Sequence, residues 1–422
     1  MTVDPINLGP VDLPVSDDIM SMSLYFGATG DRESRVWVFR DDVPSKFFRS
    51  PFNAGSAGFQ IGVIDLFRGR HPLLISYESL KSEIYLQFRP TAILDSNVVS
   101  YLNQYVRSDP ALTLPRRQVV RELLQFFIHN RLDYNPFFYY MEGSSQSERA
   151  DLLPFASAFS ESMLRLHTMD KSHFLATGEI KVDPKVLDLY TSDLGPGDFA
   201  ELAAAHATRM IRPVDFELKW RSKISYATLL KIALIHRTSG RGIASKHEEL
   251  RAFMEKTFNI ALGIERMLAL PYFAGQFQDF IPIQKSANAE RALRRVRAAS
   301  WDLLLLDLPA FLLVRGPTDG ITLGFPCTCD KALLSVASAC SIEAVMALAP
   351  KADRPVPMMG YDLSALKREI GADIVDRIAA SDFEWQKARR ERNLDDEKHI
   401  SFESLEKLIE ELERDVIAYC KS

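Results

Sequence analysis

Thr91-Ala92-Ile93-Leu94-Asp95-Ser96-Asn97 is the stretch that decides the fold. A short apolar run ends in an acid and small polar residues follow. Val98, Tyr101, Leu102, Tyr105 and Val106 then recur at helical spacing. A buried parallel strand delivers a carboxylate in this way to the carboxyl edge of its sheet, where open α/β sheets bind ligands. The pattern returns late in the chain. Ile321-Thr322-Leu323-Gly324-Phe325-Pro326-Cys327-Thr328-Cys329-Asp330 runs into Lys331-Ala332-Leu333-Leu334. Two strands that each bring an Asp to one edge predict a metal site.

Outward from these strands, residues 1–90 read as a β-rich amino-terminal part. A Pro- and Asp-rich extended arm over 1–20 precedes candidate strands at 36–39, 59–64 and 73–77, and Ile84–Phe88 reads as a further strand or a helix end. Residues 91–150 form the first half of an α/β domain. Within it Val120, Leu123, Leu124, Phe127 and Ile128 mark one side of a helix over 119–129. Residues 151–299 are nearly all helical by pattern and read as an insertion. Residues 300–350 restore the α/β pattern, and 351–422 form a charged helical part with Leu405, Leu408, Ile409, Leu412, Val416 and Ile417 at helical spacing.

The chain has 422 residues, enough for two or three folded units, with 47% hydrophobic and 25% charged residues as in ordinary globular proteins. A net charge of −5 excludes a wholly basic nucleic-acid coat but leaves room for a local basic groove. Leu303–Val314 is the most apolar run. Asp307 and Pro309 interrupt it, so it predicts a buried helix, and no membrane span is expected. No basic start followed by an apolar core suggests a signal peptide. Cys327, Cys329, Cys340 and Cys420 do not make a disulfide framework in a chain this long, which fits a reducing, cytoplasmic setting. Cys327-x-Cys329 lacks a second pair and a nearby His, so it reads as two buried small residues and not as a zinc site. His167 and His173 share no helix face and read as a surface loop.

Four acids then fall in order: Asp95 after its strand, Glu142 in Tyr139-Tyr140-Met141-Glu142-Gly143, Asp302 in Ser300-Trp301-Asp302-Leu303, and Asp330 in Thr328-Cys329-Asp330. This order resembles the PIN-domain nuclease family, with its I-L-D-x-N start, a Glu in an early helix, an Asp beginning a later helix and a T-x-D turn after a strand. The resemblance covers about 91–145 and 300–350. It implies a PIN-like three-layer α/β/α domain with a central parallel sheet. It also implies a hydrolase, a metal-dependent endoribonuclease whose substrate is RNA in preference to DNA. Asp95, Glu142, Asp302 and Asp330 would be the catalytic ligands of Mg²⁺ or Mn²⁺, and Asn97 and Thr328 the supporting polar partners. The family's gap between the second and third acids is much shorter, so the helical insertion must fill it here. Asp307, further along the same run, competes with Asp302 for the third position.

The residues themselves suit this chemistry. Clustered carboxylates bind hard divalent cations, and such ions activate water and clamp a scissile phosphate. Arg291, Arg294, Arg295 and Arg297 precede Asp302 on the same predicted helix, and Arg294 and Arg295 are the candidate contacts to a nucleic-acid backbone. Further basic groups gather at Lys219, Arg221 and Lys223, at His236, Arg237, Arg241 and Lys246, and at Arg116, Arg117 and Arg121. Plainer readings stand beside these: Asp95 and Asp330 as helix N-caps, Asp302 near a helix start, Glu142 as a surface acid. Two other functions fit the pattern. One is a Rossmann-like phosphatase with Asp95 as nucleophile, and the other a non-catalytic nucleic-acid or protein binding module with a vestigial acidic site. A stand-alone nuclease of this size suggests a toxin or defence effector, with homo-oligomer or protein partners reached through the helical regions.

Overall fold

The computed structural model describes residues 31–44, 51–56, 58–82, 86–146, 149–195, 197–211, 216–259, 262–315, 321–347, 355–362, 364–391 and 400–421. The expected arm over 1–20 lies outside them, as do the first two residues of the candidate strand at 84–88. In chain order the elements are β1 (Arg35–Pro44), β2 (Asn53–Ser56), β3 (Phe59–Val63), β4 (Arg70–Ser76), β5 (Phe88–Leu94), α1 (Ser96–Val106), α2 (Leu114–His129), β6 (Asp133–Asn135) and α3 (Phe137–Gln146). Helices α4 (Arg149–His167), α5 (Lys171–Thr177), α6 (Pro184–Tyr190), α7 (Phe199–Met210), α8 (Phe216–Thr238), α9 (Ile243–Phe258), α10 (Gly263–Phe273) and α11 (Ala289–Arg315) follow. Then come β7 (Ile321–Thr328), α12 (Lys331–Ser338), β8 (Cys340–Ala347), β9 (Val356–Tyr361), α13 (Ser364–Ile370), α14 (Ala372–Glu391) and α15 (Phe402–Lys421).

The protein is mixed α/β with two sheets among the described residues, ordered β4-β1-β8-β9 and β2-β3-β7-β5-β6. The second sheet is itself mixed. Strand β5 runs parallel to β6 and to β7, whereas β3 is antiparallel to β7 and to β2. Strand β5 is buried along Thr91–Leu94, which explains its unbroken apolar run. Of the predicted face of α2, Val120, Leu123, Leu124 and Phe127 are buried, with Val119 beside them, and Ile128 is half-buried. No described helix is long and apolar enough to cross a membrane.

The chain divides into two compact units. The first comprises Met1–Asp215, Asp307–Leu334 and Glu343–Pro357, and the second Phe216–Leu306, Ser335–Ile342 and Met358–Ser422. The five-stranded sheet lies in the first. Two glycines let helices approach it closely. A Cβ on Gly324 would sit 2.8 Å from Ile93 Cδ1 and 3.2 Å from the Pro309 backbone, and one on Gly62 would sit 2.6 Å from Leu334 Cδ2.

The second unit is mostly helical, and it also takes in the start of β8 and the end of β9. Helix α8 is buried nearly all round, with Ile224, Tyr226, Ala227, Leu229, Leu230, Ile232 and Ala233 inaccessible. Helix α15 turns Leu405, Leu412, Val416 and Cys420 inward, and Tyr226 donates to Glu413 Oε1 at 2.7 Å. Arg221 meets the fully buried Glu265 through two bonds, 2.8 and 3.1 Å.

Candidate functional site

The parallel ladder decides where the first acid goes. Register pairs Ile93 with both Asn135 and Pro326, and Leu94 with Cys327. Asp95 therefore leaves β5 level with Thr328, at the edge where β5, β6 and β7 all end. Strand β5 has β6 on one side and β7 on the other, so this edge is a topological switch point, the crevice where open α/β sheets bind ligands.

Asp95 is 4% exposed. Its amide donates to the Cys327 carbonyl at 2.9 Å, and its Oδ2 accepts from the Thr328 hydroxyl at 2.8 Å. It stands at the N-cap position of α1 but makes no side-chain capping bond there, so capping does not account for this acid. Burial raises its pKa above the ordinary 3.8, the bonds from Thr328, Ser96 and Asn97 oppose that shift, and the charge of Asp330 adds to it. Asn97 is exposed and marks the rim.

Glu142 sits within α3, which begins just past the end of β6, where Asn135 Oδ1 accepts from the Phe137 amide at 2.8 Å. The Ser96 hydroxyl donates to Glu142 Oε2. Ser96 thus links Asp95 to Glu142. The sequence carried its signal in plain view, as the hydroxyl residue between Asp95 and Asn97.

Asp330 caps α12. Its Oδ1 accepts from the Ala332 and Leu333 amides at 2.6 and 3.0 Å, and its own amide donates to Thr328 Oγ1 at 3.0 Å. The plain N-cap reading is realised for this residue. Its charge still acts on Asp95 and on Cys329, whose thiol is pushed up by burial and by both acids.

The fold thus brings together Asp95, Ser96, Asn97, Glu142, Thr328 and Asp330. Asp302 lies on α11. The expectation that it begins a helix is corrected: α11 starts at Ala289, so Asp302 lies in the helix interior, and it belongs to the second unit. Asp307 belongs to the first unit and is buried. Among the described residues no three His, Cys, Asp or Glu are grouped so as to hold a metal as they stand.

Arg294 and Arg295 also lie in the second unit. Arg294 pairs with Glu290 at 2.6 Å, and Arg295 donates to the Asp279 carbonyl at 3.0 Å. Other basic groups are likewise engaged, Arg221 with Glu265, Lys223 with Glu406 at 2.5 Å and Arg297 with Glu413 at 2.8 Å. His167 departs from the surface-loop reading. It ends α4, is half-buried, and stacks on Tyr134 at 4.5 Å and on Tyr190 at 5.2 Å. All four cysteines are free. No protein-family model, curated protein or solved structure matches the chain.

Proposed function

We propose that this chain is a PIN-like, metal-dependent nuclease that hydrolyses phosphodiester bonds in RNA. The observation that carries the reading is the register of β5 and β7, which sets Asp95 beside Thr328 and within the field of Asp330 at a switch point. A buried carboxylate facing a second acid is a poor arrangement for stability and a good one for a divalent cation.

The residues fit such an ion. Mg²⁺ retains several waters and needs only one or two protein carboxylates, so Asp95 and Asp330 suffice as direct ligands, with Glu142 available beside them. When bound, the ion would supply an activated water and a counter-charge for the scissile phosphate. Thr328 holds one oxygen of Asp95, Ser96 aims Glu142 toward the same edge, and Asn97 stands at the entrance as a polar contact. Low exposure and the Thr328 bond suit Asp95 as a ligand better than as a phosphatase nucleophile, which must reach its substrate directly.

The test is cleavage of single-stranded RNA and DNA with Mn²⁺, with Mg²⁺ and with chelator, comparing wild type with Asp95→Asn. Metal-dependent cutting of RNA that the variant loses is the expected result. Cutting that persists in chelator or in Asp95→Asn overturns the reading.

A further inference from the structure

Among the arginines of α2, one differs from its two neighbours. Arg117 donates to the Tyr105 and Asp109 carbonyls at 3.4 and 3.3 Å, and the Arg121 guanidinium is wedged against Gly178, where a Cβ would lie 2.6 Å from its Cζ. Arg116, near the start of α2, is exposed and makes no hydrogen bond or ion pair among the described residues. Its contacts are with two rings. The guanidinium carbon lies 5.4 Å from the ring centre of Phe59 and 6.0 Å from that of Tyr101. Those rings pack edge to face, with centres 4.7 Å apart and planes at 69°.

The position of that pair follows from the fold. Tyr101 is four residues after Asn97 on α1, so the two occupy adjacent rungs of one helix face, and helical side chains lean toward the N-terminus. Phe59 begins β3. Gly62 pairs with Thr328 in an antiparallel ladder, so Phe59 extends past the level of Asp95 on the carboxyl side of the sheet. Arg116 therefore sits on the rim of the Asp95 site, on its β3 flank. Its guanidinium lies beside two rings, and the residue is exposed. An exposed arginine set beside aromatic rings, with no hydrogen bond or ion pair among the described residues, is suited to a phosphate, which a guanidinium meets bidentately.

We propose that Arg116 binds a backbone phosphate of single-stranded nucleic acid next to the scissile one and sets the strand in register over Asp95. The proposal rests on the nuclease reading above and places the backbone contact at Arg116, not at Arg294 or Arg295.

Binding of a labelled oligouridylate is measured on full-length protein carrying Asp95→Asn, so that nothing is cut, from roughly 50 to 200 mM salt. Adding Arg116→Ala is expected to weaken binding about five-fold and to flatten the plot of log K against log salt by about 0.7, the value for one neutralised phosphate on a single strand. Arg116→Lys restores the slope but only part of the affinity. In the active protein, Arg116→Ala raises KM for the same RNA. Arg116→Gln serves as a second variant, and melting curves confirm that each is folded. An unchanged affinity and slope in protein that binds and cuts RNA overturns the proposal alone. Failure of the wild type to bind or cut any nucleic acid overturns the nuclease reading and this inference with it.

Discussion

At the scale of single residues, Asp95 combines strain and use. Folding buries it and leaves it facing the charge of Asp330, so its proton is held more tightly in the folded than in the unfolded chain. The folded state then carries more protons above pH 3.8, and stability falls as pH rises through the interval up to the raised value. Asp95→Asn removes that cost. The variant is expected to melt higher than wild type at pH 7, the gap should close as the pH approaches 4, and Mn²⁺ should raise the melting temperature of wild type only. A variant that melts lower at pH 7 would mark Asp95 as a structural acid. The position of Asp95 was legible because strand periodicity and the following helix fix where the run must end. The capping bonds of Asp330 were legible as well; the partner of Ser96 was not, since a hydroxyl at a helix start can serve the backbone or a neighbour, and only packing chooses.

Elements show where periodicity stops informing. Strands β1, β3, β4, β5 and β7 are rich in branched and aromatic residues and read correctly. Strand β2, Asn-Ala-Gly-Ser, has almost no strand propensity and exists because β3 pairs with it. Strand β6 is three residues long and depends on β5 in the same way. In α11 the apolar run from Leu303 was legible as buried. The arginines before it were placed on the same helix, yet the resemblance set Asp302 at a helix start, whereas the helix begins at Ala289. The contact of α11 with the sheet is sharp enough to test. Gly324→Ala would drive a Cβ into Ile93 and the Pro309 backbone, and backbone yields less readily than side chains. We expect a loss of about 1–3 kcal/mol in denaturant unfolding. A loss near zero would mean that α11 moves freely over β7.

The first boundary between the two units falls between 215 and 216, inside a stretch that reads as uniformly helical, because the division depends on which faces pack and not on periodicity. Each unit has a core of its own, so calorimetry should reveal transitions that respond to different substitutions. Arg221→Leu leaves Glu265 buried and unpaired. It should cost about 3–5 kcal/mol, lowering a transition that Gly324→Ala leaves in place. A single transition shifted by both would show that the units unfold as one. The bond from Thr328 to Asp95 has a consequence in time. Its partners are 233 residues apart. At about 5–20 residues per second, the ribosome makes Asp95 and Glu142 many seconds before Thr328 and Asp330 exist. A chain still being translated carries half of the proposed site, so the nuclease proposed above would stay unassembled until Thr328 and Asp330 have been made.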